Sequence, residues 1–115
     1  MRVLVCGGRD YNNREQMTDV LRENLMEHDV VVHGAAPGAD ALAGDIAGRV
    51  LGIEVDPHPA QWKRYGKAAG PIRNQEMLDS GVDRAIAFPG GSGTADMTDR
   101  LVKADVPIVI VEEES

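Results

Sequence analysis

The chain has 115 residues, of which 43% are apolar, and a formal net charge of −7. This length predicts one domain that buries a core without disulfides, and the single cysteine, Cys6, is expected to fill that core at a strand end. The acidic balance disfavours general nucleic-acid binding, which requires a basic face. We expect a cytoplasmic protein, because no apolar run reaches the roughly 20 residues of a membrane helix and the first run is too short for a secretion signal.

Short apolar segments alternate with helical patterns along the chain. The predicted strands are residues 2–6, 30–32, 53–55, 84–88 and 107–111. The predicted helices are residues 14–27, 40–51, 71–80 and 93–104. Asn12 and Glu15 resemble a capping pair at the first helix, and Gly52 suits the end of the second. Residues 56–69 show no clear period and are predicted to be irregular.

Strands that alternate with helices predict parallel β-α-β units, and continuous apolar strands are typical of a sheet covered on both faces. We therefore predict an α/β fold: a single Rossmann-like domain over residues 1–115, with a mainly parallel five-stranded sheet and helices on both faces. The loops at residues 7–10, 33–40 and 89–94 each follow a predicted strand. They should lie along one edge of the sheet, where such folds bind ligands.

The segment Pro89-Gly90-Gly91-Ser92-Gly93-Thr94 joins a predicted strand to a predicted helix. Its glycines let the backbone turn sharply, and the free amides at the start of a helix suit a phosphate. The Ser92 and Thr94 hydroxyls either bind that phosphate or cap the helix. The sequence leaves open whether the loop is a phosphate site or a purely structural turn.

Arg73 lies near the start of a predicted helix, which is unfavourable to the helix dipole unless an anion is close. We therefore predict that Arg73 contacts a ligand phosphate, and the alternative is an ion pair at the edge of the core. Asn74 either bonds a base or braces a loop. Trp62 either stacks on a base or anchors its loop to the domain.

Three aspartates are candidates for acidic groups in the site. Asp40 opens a predicted helix, where it either accepts hydrogen bonds from a ribose or caps the helix. Asp96 is either a catalytic carboxylate or the i,i+4 partner of Arg100. Asp10 follows Arg9, and this pair is either a ligand clamp or a surface ion pair.

Five segments together resemble the YspA/YpsA-related branch of the SLOG superfamily, and this resemblance spans nearly the whole chain. The segments are Gly7-Gly8-Arg9-Asp10, His33-Gly34-Ala35-Ala36-Pro37-Gly38-Ala39-Asp40, Trp62-Lys63-Arg64-Tyr65-Gly66, Ala69-Gly70-Pro71-Ile72-Arg73-Asn74 and Pro89-Gly90-Gly91-Ser92-Gly93-Thr94. The superfamily includes the Lonely Guy phosphoribohydrolases and the DNA-processing protein DprA, all with Rossmann-like folds. The resemblance implies a SLOG-like domain that binds a nucleotide or a nucleotide-derived ligand.

Residues 89–94 are similar to the phosphate-binding signature of the Lonely Guy proteins, and Arg73 lies in a segment that resembles their arginine-bearing motif. Together with the residues argued above, the predicted ligand-binding residues are Gly7, Gly8, Arg9, Asp10, Gly34, Gly38, Asp40, Trp62, Arg73, Asn74, Pro89, Gly90, Gly91, Ser92, Gly93 and Thr94. In the Lonely Guy motif a glutamate three residues after the threonine assists cleavage of the ribose–base bond, whereas this chain has Met97 there. A thioether cannot take the role of a carboxylate. The remaining catalytic candidates are Arg73, Asp40 and Asp96.

These observations favour binding of a phosphorylated nucleotide-like ligand, for sensing or sequestering it, at the carboxyl edge of the sheet. The alternative is a hydrolase that cleaves the N-glycosidic bond of a nucleotide. Single-stranded nucleic-acid binding, by analogy with DprA, is disfavoured by the net charge. No motif requires a cofactor or a metal, although magnesium is compatible with a pyrophosphate ligand. The resemblance to Lonely Guy proteins implies a homo-oligomer, and no membrane partner is expected.

Overall fold

A computed structural model describes residues 1–114. Its strands are β1 (Arg2–Cys6), β2 (Val30–His33), β3 (Glu54–Pro57), β4 (Arg84–Ala87) and β5 (Ile108–Ile110). Its helices are α1 (Arg14–Asn24), α2 (Ala39–Asp45), α3 (Trp62–Tyr65), α4 (Ala69–Asp79) and α5 (Ser92–Lys103). A π-helical turn over Ile46–Val50 continues α2, and a 3₁₀ turn over Gly66–Ala68 joins α3 to α4.

The five strands form one sheet in the order β3-β2-β1-β4-β5, and every pairing is parallel. The chain builds outward from β1 to one side through β2 and β3, and then crosses over to β4 and β5. The strand order therefore reverses between β1 and β4, where Cys6 lies opposite Ala87. The predicted α/β Rossmann-like fold is confirmed, and its switch point lies where the two glycine-rich loops leave the sheet.

Alternate residues of the strands point to opposite faces of the sheet, so the core has two layers. Val3 and Val5 pack with α1 and α2 on one face. Leu4 and Cys6 pack with α4 and α5 on the other face. Each fully buried aliphatic side chain contributes roughly 1.5–3 kcal/mol to folding, so both helical layers are held mainly by apolar packing.

The first helix differs from its predicted bounds at both ends. Its N-cap is Asn13 rather than Asn12, because the Asn13 side chain accepts a hydrogen bond from the amide of Gln16 at 3.0 Å. The helix ends at Asn24, three residues before the predicted end. The reason is Asp29, whose carboxylate accepts from the Met26 amide at 2.8 Å and from the N-terminal ammonium at 3.0 Å, and so holds the chain in a turn.

The prediction that residues 56–69 are irregular is wrong, because this stretch contains the end of β3, all of α3 and the 3₁₀ turn. Each residue of α3 keeps part of its surface exposed, so the helix has no buried stripe from which a helical period can be read. The predicted end of the second helix is confirmed, since Gly52 has the positive φ of +67° typical of a glycine after a helix. Within the described residues, no helix has the length and apolar content of a membrane span.

Candidate functional site

A groove of about 760 Å³ opens at the carboxyl edge of the sheet, beside the switch point. The structure brings most of the predicted site residues to it, namely Gly7, Gly8, Arg9, Asp10, Asp40, Trp62, Arg73, Asn74, Pro89, Gly90, Gly91, Ser92, Gly93, Thr94 and Asp96. Gly34 and Gly38 lie behind this lining. A groove of this size is within the usual range for small-ligand sites.

Gly38 and Gly8 allow the three loops to pack backbone against backbone. A Cβ added at Gly38 would lie 2.4 Å from the carbonyl oxygens of Gly8 and Arg9, and Gly38 also has a positive φ of +79°. The Gly8 amide donates to the Pro89 carbonyl at 2.8 Å, and a Cβ at Gly8 would lie 2.9 Å from the Cα of Gly90. These glycines therefore have a structural role that is independent of any ligand.

Gly91 and Gly93 differ, because a Cβ added at either would meet no described atom within 4 Å. Both line the groove at the start of α5. Gly91 is the N-cap of α5 and has no side chain to offer, so the predicted capping role of Ser92 and Thr94 is wrong for the described part of this helix. The first amides of α5 are thus exposed to the groove, where an anion can approach them closely.

Arg73 reaches across the groove floor from α4. Its Nη1 donates to the carbonyl oxygen of Gly34, and its Nε donates to the Asn74 side chain at 3.0 Å. The predicted alternative of an ion pair is not realised among residues 1–114, since no acidic side chain there lies within ion-pairing distance of Arg73. Burial lowers the pKa of Arg73, the charge of Asp40 raises it, and the charge of Arg9 lowers it.

Gly34 is explained by the same arginine. A Cβ at Gly34 would lie 2.5 Å from Nη1 of Arg73 and 2.9 Å from a carboxylate oxygen of Asp40. The absence of a side chain at Gly34 therefore makes room for the side chains of Arg73 and Asp40. Asn74 is 4% exposed and donates to the Asp96 carboxylate at 2.9 Å, which favours the bracing role predicted for it.

Asp40 is a buried carboxylate at the back of the groove, with 7% of its surface exposed. It is the second residue of α2, whose N-cap is Gly38, so the predicted role of Asp40 as an N-cap is wrong. Its Oδ2 accepts from the Ala36 amide at 3.3 Å. Burial raises the pKa of Asp40, although the Ala36 amide and the charge of Arg73 partly offset this effect.

Asp96 has a different environment. It pairs with Nε of Arg100 at 2.9 Å, as its i,i+4 spacing predicts, and it also accepts from Asn74. The hydrogen bond from Arg100 lowers the pKa of Asp96, although partial burial opposes this. Of the two carboxylates, Asp40 is the one whose surroundings favour proton uptake, whereas Asp96 is held ionised by its partners.

Met97 stands where the resemblance would place a glutamate, and it is only 1% exposed. It packs with Leu4, Cys6 and Leu101 under the groove. Burial, with a smaller contribution from the charge of Asp40, raises the pKa of Cys6 to about 12. The thiol is therefore protonated at neutral pH, which agrees with the predicted core role and disfavours a nucleophile.

Trp62 lines the groove from α3 and is 49% exposed. The guanidinium carbon of Arg9 lies 5.6 Å from the centroid of the Trp62 ring, within the range of a cation–π contact. Arg9 and Asp10 form no ion pair with each other within residues 1–114, so the surface-pair interpretation is not realised there. Both side chains line the groove instead.

The groove also contains residues that the sequence reasoning missed, among them Tyr11, Gly70, Pro71 and Glu113. Gly70 and Pro71 belong to a segment that was already singled out, so that signal was present in the sequence. Glu113 follows β5 and reaches the groove only through the strand order. The described residues contain no cluster of three or more His, Cys, Asp or Glu side chains that could hold a metal ion.

Comparisons with known proteins identify the family of the chain. The model of the YspA, cpYpsA-related SLOG family matches residues 1–65, which include β1 to β3 and the first two loops of the site. The chain is 39% identical over 117 residues to the Gene 61 protein of Mycobacterium phage D29, and the alignment covers 94% of each chain. The glycine segment at residues 89–94 lies beyond the family match but within the fold that the match predicts.

Proposed function

This chain belongs to the YspA, cpYpsA-related SLOG family, and we propose that it binds a nucleotide or nucleotide-derived phosphorylated ligand in the groove, for sensing or sequestering it, without efficient cleavage. The observation that carries this proposal is the pair Arg9 and Arg73. Both side chains line one groove, and neither is in an ion pair within the described chain.

Both guanidinium groups keep hydrogen-bonding capacity for a ligand. Within the described chain Arg73 donates only from Nη1 and Nε, and Arg9 contacts the Trp62 ring. Asp40 offsets part of the positive charge near Arg73 but is not within ion-pairing distance. Guanidinium groups bind phosphate through two parallel hydrogen bonds, so a phosphorylated ligand would satisfy both arginines.

The start of α5 supports the same ligand. Its exposed amides and the positive end of the helix dipole line the groove together with Gly91 and Gly93. The open space at these two glycines lets a phosphate approach the backbone without meeting a Cβ. The amides of α5 and the arginine side chains then bind the same anionic part of the ligand from different directions.

Two observations support binding without efficient cleavage. The position of the Lonely Guy glutamate holds Met97, which cannot stabilise an oxocarbenium-like centre or accept a proton. The neighbouring Asp96 is already paired with Arg100 and Asn74, so using it as a base would require breaking those contacts.

A second candidate, hydrolysis of the N-glycosidic bond, is favoured by one observation. Asp40 lines the groove as a buried carboxyl with a raised pKa, and such a group can exchange a proton with a leaving base. In this alternative Arg73 and α5 hold the phosphate while Asp40 acts on the ribose–base bond. Release of free base from a nucleotide, lost in Asp40→Asn, distinguishes this alternative from binding alone.

The test of the proposal is calorimetric titration of the wild type and Arg73→Ala with adenosine monophosphate and ADP-ribose. We expect Arg73→Ala to weaken binding at least tenfold, because charge-assisted hydrogen bonds contribute about 1.5–3 kcal/mol each. The matched control is Arg64→Ala, since Arg64 stacks on Tyr65 outside the groove lining. Equal dissociation constants for the wild type and a folded Arg73→Ala protein would remove Arg73 from the site.

A further inference from the structure

We infer that Trp62 forms the subsite for an aromatic base and that Arg9 covers its ring until the base binds, so that the groove selects nucleotides over sugar phosphates that lack a base. This inference rests on the proposed function and adds the part of the ligand that is recognised at the α3 end of the groove. The phosphate end lies at α5 and Arg73, and the base end lies where α3 meets the loop after β1.

The first support is the position of Trp62, which packing alone does not explain. It is the only tryptophan in the sequence, and about half of its surface is exposed in a groove rather than buried in the core. One edge of the ring faces Gly70 of α4, where an added Cβ would lie 3.5 Å from the Cη2 atom. A ring that is close to the protein at one edge and open elsewhere is suited to stacking on a flat ligand.

The second support is the contact that Arg9 makes with the Trp62 ring. The guanidinium of Arg9 lies over the ring at 5.6 Å and is in no ion pair within residues 1–114. A cation–π contact at an exposed site is weak, whereas a nucleobase stacks strongly on tryptophan. A base can therefore take the place of the guanidinium on the ring.

The displaced guanidinium has a destination in the same groove. Arg9, Arg73 and Asp40 line the same groove, and the charge of Arg9 lowers the pKa of the other two. It can therefore turn from the ring toward the phosphates that Arg73 and α5 hold. Base stacking and phosphate binding are then coupled, because the side chain that leaves Trp62 adds a cation to the phosphate end.

The experiment compares adenosine monophosphate with ribose 5-phosphate, which carries the same phosphate and sugar without a base. Trp62 is the only tryptophan, so intrinsic tryptophan fluorescence reports on this ring alone. We expect adenosine monophosphate to quench the emission and to bind about tenfold more tightly than ribose 5-phosphate. Trp62→Ala should remove this difference in affinity between the two ligands, and Trp62→Phe should retain most of it.

Tyr65→Ala is the matched control, because Tyr65 lies on the same short helix but outside the groove lining. It should leave both affinities unchanged. If Trp62→Ala binds adenosine monophosphate as tightly as the wild type does, the base subsite is wrong while the proposed phosphate site stands. If the wild type binds neither adenosine monophosphate nor ADP-ribose, the proposed function and this inference are both overturned.

Discussion

The two sides of the groove are built in opposite ways. The glycine wall, formed by Gly8, Gly38 and Gly90, consists of three loops packed so closely that a Cβ on any of them would lie within 3.0 Å of another atom. On the α3 side, Trp62 is the residue of α3 that lines the groove, and it is half exposed and contacts Arg9. From this difference we expect a rigid side at the proposed phosphate site and an adjustable side at the proposed base subsite.

The largest expected effect is on the stability of the glycine wall. Gly38→Ala should lower the free energy of unfolding by about 2 kcal/mol or more, because it adds strain at a positive φ and overlap with two carbonyl oxygens. Urea denaturation of the purified protein measures this effect. The matched control is Gly93→Ala, where the structure leaves open space and α5 favours alanine. Equal losses in the two variants would show that the wall is not tightly packed.

Replacing the two carboxylates near the groove should change the free energy of unfolding by smaller amounts and in opposite directions. Asp40→Asn should raise the free energy of unfolding at pH 7 by up to about 1 kcal/mol, since a buried amide costs less than a buried charge. Asp96→Asn should lower it by no more than about 1 kcal/mol, because its ion pair with Arg100 is partly exposed. Thermal unfolding of both variants beside the wild type checks the two signs.

The pKa shifts of Asp40 and Asp96 also predict how the free energy of unfolding depends on pH. The pKa of Asp40 is raised in the folded state, so the destabilising effect of its charge decreases as the pH falls toward about 3.9, the ordinary pKa of an aspartate. The pKa of Asp96 is lowered, so its contribution is lost as the pH falls through that lowered pKa. If Asp40→Asn has a lower free energy of unfolding at pH 7 than the wild type, the inference that the Asp40 charge is buried at a cost to folding is contradicted.

The glycine wall and Trp62 could be predicted from the sequence as parts of the groove, whereas the helical conformation of α3 could not. Strand runs and glycine-rich turns are local signals, so the sheet edge and the loops around Gly8 and Gly90 follow from short segments. The α3 helix gives no such signal, because none of its residues is buried and its residues show no apolar period. Asp40 lies inside α2 because Gly38 is the N-cap of that helix. Glu113 lies at the groove because of the order of the strands in the sheet.

The central claim is that the groove holds a nucleotide intact through its arginines and the start of α5. The most direct measurement is equilibrium dialysis of the protein against adenosine monophosphate and ADP-ribose, followed by chromatography of the recovered ligand. We expect at least one nucleotide to be retained by the wild type, to be lost from Arg73→Ala, and to be recovered uncleaved. Retention of neither nucleotide, or release of free base that Arg73→Ala abolishes, would contradict the account.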